Sequence, residues 1–335
     1  MKFGAVISDA EGLRLSPEEK ALFKETNPFG FILFARNIET PDQVRALCDD
    51  FRDAVGRNCL ITIDQEGGRV QRLRAPIARE WMPPLDHTEK AAENAERAMY
   101  LRYRLIAEEL WSLGIDSNCA PMVDIARDAT HPFLRNRCYA KSADKAAQIG
   151  RAVAQGHLDG GVLPIAKHIP GHGLATLDSH YDLPHVDLPL AELQQADFAP
   201  FRMLNDLPMG MTAHLVFDQI DPQAATISAT VMNLIRDDIG FGGLIMTDDI
   251  SMKALSGSLT DLSKTALNAG CDVILHCNGS FAERAEVLEA AGEMTEIAQR
   301  RAENALSMRQ KPLELDIKAA EAELSRLMGG QVYER

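Results

Sequence analysis

Short apolar runs alternate with helix-patterned segments along this whole chain, and that alternation limits the fold more than any other feature. The runs are Gly4–Ser8, Gly30–Phe34, Cys59–Asp64, Ile115–Val123, Val162–His168, Met209–His214, Gly243–Thr247 and Asp272–Cys277. They are apolar at successive positions, as strands of a parallel sheet covered by helices on both faces must be. Between them, Thr40-Pro41 reads as an N-cap followed by proline at N1, opening a helix to about Val55. Amphipathic segments follow at 91–113, 142–158, 190–204, 229–239, 259–269 and 281–294. Eight strands alternating with helices predict an α/β chain folded as a TIM-like (β/α)8 barrel, with a doubly wound open sheet as the alternative. No Gly/Ser linker or internal repeat divides the chain. One catalytic barrel domain over 1–335 is therefore expected, with charged peripheral helices from about 295 packed outside it.

Composition narrows the functional classes. With 35 Lys+Arg against 49 Asp+Glu, the formal net charge is −14. Such a surface repels phosphate backbones and anionic membranes, so nucleic-acid and membrane partners are not expected, although a local basic pocket is compatible with it. Cys48, Cys59, Cys119, Cys138, Cys271 and Cys277 are scattered, and several sit in apolar runs. They read as reduced, buried thiols of a cytoplasmic protein. No apolar stretch approaches the roughly 20 residues of a membrane span, and the N-terminal run is broken at Asp9 and Glu11, too early for a signal peptide.

Polar residues gather where the apolar strands end: Asp9, Arg36-Asn37, Asp64-Gln65-Glu66, Asp124, Lys167-His168, His214, Asp248-Asp249 and His276-Cys277-Asn278. Barrel active sites lie at these C-terminal strand ends. In Asp64-Gln-Glu-Gly-Gly-Arg-Val-Gln-Arg72, a carboxylate at the strand exit and the arginines Arg69 and Arg72 can grip vicinal hydroxyls. The Gly67-Gly68 pair lacks nucleotide-loop spacing. In Lys167-His-Ile-Pro-Gly-His-Gly173, the strand gives way to a loop carrying His172, Asp178 and His180. A carboxylate two residues from an imidazole can hydrogen-bond it and raise its pKa, making a general acid/base on a movable loop. Two other chemistries stay open: a metal held by His168, His172 and His180 with Asp248, and a Schiff base at Lys167. In Gly243-Leu-Ile-Met-Thr-Asp-Asp-Ile-Ser-Met252, neighbours point to opposite sides of the strand. Asp248 is assigned the chemistry and Asp249 the cap of the following segment.

Together these segments, with Ala213-His214 and Thr247-Asp-Asp-Ile-Ser-Met252, resemble family 3 glycoside hydrolases. The nearest resemblance is to the single-domain bacterial β-N-acetylglucosaminidases of peptidoglycan recycling. The resemblance implies a retaining β-N-acetylhexosaminidase with no cofactor and no metal. It implies removal of a terminal, non-reducing β-linked N-acetylglucosamine from small muropeptide fragments, chiefly N-acetylglucosamine-1,6-anhydro-N-acetylmuramic acid. Residue by residue, it makes Asp248 the nucleophile and His180 the acid/base assisted by Asp178. Asp64, Arg72, Arg137, Lys167 and His168 fall on the sugar-binding positions. Around Arg137 the chain reads Asn-Arg-Cys-Tyr where relatives usually carry Glu/Gly-Arg-Ser-Tyr or Phe. A metal-dependent barrel hydrolase and a non-catalytic amino-sugar binding protein are the competing readings.

Overall fold

The computed structural model describes residues 2–179 and 181–334. Eight parallel strands form the central sheet: β1 (Gly4–Ser8), β2 (Pro28–Leu33), β3 (Leu60–Ile63), β4 (Ser117–Asn118), β5 (Leu163–Ile169), β6 (Met209–Thr212), β7 (Leu244–Asp249) and β8 (Val273–Leu275). Their spatial order is β3-β2-β1-β8-β7-β6-β5-β4, so every neighbour is the next strand in sequence or the first meeting the last. That order belongs to a barrel and not to a doubly wound sheet, in which the strand order reverses. The seam between β3 and β4 is joined by Asp116 N–H to Ile61 O (3.1 Å) and Cys119 N–H to Ile63 O (2.9 Å).

Side chains finish this seam. The Asp116 carboxylate accepts the Ile61 N–H at 2.8 Å. The Asn118 amide accepts from Gln65 N (2.9 Å) and donates to Gln65 O (3.1 Å), copying a strand ladder where the backbone diverges. Asn118 Nδ2 also donates to His157 Nε2 at 2.9 Å. Burial pushes the His157 imidazole down to about 3, which keeps the ring neutral and free to accept. A buried polar chain thus fixes the backbone between Asp64 and Glu66, two residues that reappear below.

Helices cover the barrel: α1 (Pro17–Thr26), α2 (Pro41–Val55), α3 (Ala95–Ser112), α4 (Ala143–Asp159), α5 (Leu259–Ala269), α6 (Phe281–Ala291), α7 (Glu296–Ser307) and α8 (Ile317–Met328). The Thr40 hydroxyl accepts the Gln43 N–H, as its N-cap position requires. Helix α8 packs against α3. Arg79 joins Glu109 of α3 to Glu321 of α8, and Tyr333–Glu334 pairs antiparallel with Glu80–Trp81. All six cysteines are buried and free. No helix among the described residues is long and apolar enough to cross a membrane.

Three elements differ from the sequence reading. The helix expected over 91–113 begins only at Ala95, because Ala91 ends a separate helix, Pro84–Ala91, and Ala92 takes φ = 50° and opens a 3-10 turn. Periodicity cannot see this, since alanine fits a helix better than any other residue. The 190–204 segment breaks into Leu190–Gln195 and Ala199–Met203. Pro200 has no N–H and disfavours helical backbone before it, so the helix restarts there. The expected strand 115–123 keeps a ladder at Ser117–Asn118 and one bridge from Met122 to Lys167. Pro121, between them, lacks a ladder donor.

Helices α3 and α4 approach so closely that Gly156 is required. A Cβ there would lie 2.7 Å from Tyr100 O and 3.1 Å from Arg104 N, both main-chain atoms. Helix propensity alone favours alanine by about 1 kcal/mol, but a clash with backbone cannot relax by a rotamer change. Gly156→Ala is therefore expected to destabilise the protein by about 1–3 kcal/mol in chemical denaturation. Gly242→Ala, where a Cβ meets nothing within 4 Å, serves as the control. It is expected to be neutral or stabilising by up to about 1 kcal/mol.

Candidate active site

The polar strand ends converge on one cleft at the C-terminal mouth of the barrel, about 860 Å³ in volume with the part open to solvent included. Asp64, Arg72, Arg137, Lys167, His168 and Asp248 all line it. The structure therefore brings together every sugar-binding position expected from sequence, along with the carboxylate assigned the chemistry. Asp178 and Ser179 belong to the loop after β5, and Ser179 lines the same cleft. His180 lies outside the described residues.

Charge compensation organises the base of the cleft. Asp64, just past β3, accepts Arg72 Nη2 and Lys167 Nζ, each at 2.9 Å. Lys167 reaches across from β5 and also meets Glu66 at 2.6 Å. Arg137 closes the row with a two-pronged contact to Glu66, at 2.9 and 2.8 Å. Burial opposes ionisation of each carboxyl, yet the cations outweigh it. Lys167 and Arg72 hold Asp64 far below the usual carboxylate range, and Arg137 and Lys167 bring Glu66 down to about 2. Burial would lower Lys167, but Asp64 and Glu66 hold its ammonium above the ordinary lysine range. A Schiff base needs a neutral amine, so this ammonium is poorly suited to that chemistry.

A second buried group centres on Asp124. Its carboxylate accepts the His168 Nδ1–H (2.7 Å), the His168 N–H (3.2 Å) and the His172 N–H (2.6 Å). Burial and then Arg137 push His168 down to about 3, while burial and then His168 bring His172 to about the same value. Both rings are neutral near pH 7. The lone pair of His168 Nε2 accepts from Arg137 Nη2 at 3.5 Å. Among the described residues, no group of three or more His, Cys, Asp and Glu side chains converges as metal ligands would.

Asp248 and Asp249 stand at the end of β7, within the strand and not beyond it. The Asp249 N–H donates to Asp248 Oδ1 at 2.8 Å. Burial pushes the Asp248 carboxyl up, but His214, His168, this N–H and Lys167 together hold it below its ordinary value. His214 Nε2 in turn donates to Asp249 O at 3.0 Å, its Nδ1 being 2.7 Å from the Thr226 hydroxyl. Asp249 does not cap a helix. Its Oδ1 accepts the Ser251 N–H (3.0 Å) and hydroxyl (2.8 Å), forming a turn, and the next helix is capped by Ser258.

Glu66 and Asp124 are buried groups in the site that sequence reasoning did not assign. Glu66 had a signal, because residues two apart on an extended segment share a face. Asp124 stands at a strand exit as expected, but it acts on the His168 ring and on main-chain N–H groups 44 and 48 residues away in sequence, which no local pattern marks.

Comparison with known proteins agrees with this geometry. Residues 5–308 match the glycosyl hydrolase family 3 N terminal domain. The β-hexosaminidase of Alkalilimnicola ehrlichii is 35% identical over 285 residues, covering 83% of this chain and 82% of that protein. That of Pseudomonas aeruginosa is 35% identical over 280 residues, covering 82% of each. The crystal structure of native NagZ from Neisseria gonorrhoeae superposes with a TM-score of 0.80 at 28% identity, over 98% of both chains. A family 3 β-N-acetylglucosaminidase from Paenibacillus gives 0.85 at 29% identity, over 96% of this chain and 66% of that one. The chain belongs to glycosyl hydrolase family 3 and is a glycoside hydrolase.

Proposed function

We propose that this protein is a retaining exo-β-N-acetylglucosaminidase acting on terminal, non-reducing N-acetylglucosamine. The observation that carries the reading is the arrangement at the cleft base: an ionised Asp248 on β7 facing a compensated row of Arg72, Asp64, Lys167, Glu66 and Arg137. Family membership and the β-hexosaminidase relatives support it. A Neisseria gonorrhoeae relative has been crystallised with N-trifluoroacetyl-D-glucosamine, which supports an amino sugar as the group bound.

In this reading Asp64, Arg72, Arg137, Lys167 and His168 hold the sugar. The charged groups donate to or accept from its hydroxyls. An Asp248 oxygen attacks C1 while His180, assisted by Asp178, gives its proton to the leaving oxygen. The C1–O bond breaks as the Asp248–C1 bond forms. Neutral His180 then takes a proton from water, the water oxygen displaces Asp248 from C1, and the sugar leaves with its original configuration. The substrate assigned is N-acetylglucosamine-1,6-anhydro-N-acetylmuramic acid, with or without peptide, released in cell-wall recycling. The setting assigned is the cytoplasm, and the working unit a single barrel domain over 1–335.

Hydrolysis of a chromogenic N-acetylglucosaminide, with the glucoside as control, tests the activity. Release from the first alone is expected, and equal release from both would remove the amido-sugar assignment. Asp248→Asn is expected to lower turnover on any aglycone by more than about 10³-fold; near-normal rates would move the nucleophile elsewhere. His180→Ala is expected to slow a substrate with a poor leaving group by about 10²–10⁴-fold, while an activated phenyl glycoside loses far less. Equal losses on the two would remove the acid role.

A further inference from the structure

The four cations lining the cleft are not equivalent. Arg72 is paired with Asp64, Arg137 with Glu66, and Lys167 with both carboxylates. Arg69 is exposed at the mouth and is paired with no carboxylate among the described residues. Its place is nevertheless fixed. Gly67 and Gly68 turn the chain with φ of +104° and +59°, in positions where a Cβ would strike Arg102 and Pro83. This turn sends Arg69 back over the cleft, where Nη2 donates to Phe133 O at 2.5 Å. Its guanidinium lies 5.8 Å from the Phe133 ring centre. Phe133 itself lines the cleft and packs edge-on to His172, with ring centres 6.2 Å apart. One edge of the guanidinium is held by a carbonyl, and among the described residues no carboxylate lies within ion-pair distance of the remaining N–H groups, Glu66 and Asp178 acting on them only from further off.

A guanidinium beside an aromatic ring is suited to an anionic sugar. The ring takes an apolar sugar face, and the N–H fork takes a carboxylate. In a chain of net charge −14, a cation left unpaired beside Arg72 and Arg137 makes the mouth a local anion site. The base of the cleft, by contrast, is charge-compensated and suits a neutral sugar. On the reading above that the chain cleaves β-linked N-acetylglucosamine, we infer that Arg69 and Phe133 form the leaving-group subsite. Arg69 selects aglycones that carry a carboxylate.

The test uses a matched pair: N-acetylglucosamine β-linked to 1,6-anhydro-N-acetylmuramic acid, and the same disaccharide with its lactyl carboxylate converted to the carboxamide. The intact protein is expected to favour the acid over the amide by about tenfold in kcat/KM, as one charge-assisted contact allows, with the difference mainly in KM. Arg69→Gln is expected to reduce that preference to within about threefold, and Arg69→Lys to restore part of it. A melting temperature and far-UV circular dichroism spectrum of Arg69→Gln matching those of the parent report an intact fold. Equal handling of acid and amide by the parent would overturn the assignment, as would equal loss on both in Arg69→Gln. Failure of the parent to cleave an aryl N-acetylglucosaminide would instead overturn the glycosidase reading itself.

Discussion

The buried ammonium of Lys167 is the charge on which the cleft depends. Asp64 and Glu66 lie two residues apart on one extended segment, so both carboxylates face the same way in a water-poor site. Left to themselves they would repel, and one would take up a proton. Lys167 comes from β5, two strands away around the barrel, and meets both. Arg72 and Arg137 complete the compensation from either side. Breaking a buried pair leaves an uncompensated charge, at a cost of about 3–5 kcal/mol. The row therefore serves the barrel mouth and the site at once, and the two roles are hard to separate by deleting a single residue.

Its precision rests on a buried hydrogen-bonded layer beneath it. The Asn118 amide holds both main-chain groups of Gln65, and neutral His157 accepts from Asn118. Tyr103 and Arg102 donate to the Glu66 carbonyl at 3.2 and 2.5 Å. Gly67 must lack a side chain because Arg102 occupies the space a Cβ would take. A shift of this backbone would move Asp64 and Glu66 together, away from the cations that ionise them.

Much of this was legible in the chain. The eight apolar runs gave the barrel, since fully buried parallel strands cannot alternate polar and apolar residues. Asp64, Lys167, His168 and Asp248 stood out because a carboxylate, amine or imidazole at the exit of an apolar strand has no packing role. The missed features share a physical cause. Ala92 leaves helical geometry with no residue-level signal. Glu66 was visible as a polar group, but its partners come from Arg137 and Lys167, 71 and 101 positions on. Asp124 and Asn118 act on main-chain groups, which every residue carries, so composition cannot mark the acceptor. Asp249 went to a turn and not to a helix cap because the chain after it takes nine more residues before α5 begins at Leu259.

The cleft then divides by function along a line of charge pairing. Where cations and carboxylates are paired, they present directed hydrogen-bonding groups to a neutral sugar. Asp248 is different: it accepts a hydrogen bond from the neutral Asp249 N–H, and the nearby His168 ring is uncharged near pH 7. In the proposed reaction positive charge develops at C1, and a carboxylate not already satisfied by a bound cation stabilises it most. The same logic inverted applies at the mouth. There the cation Arg69 is the group without a paired carboxylate among the described residues, and the species it is inferred to favour is an anion on the departing side of the bond. Pairing marks the residues that hold, and its absence marks the residues that discriminate or react.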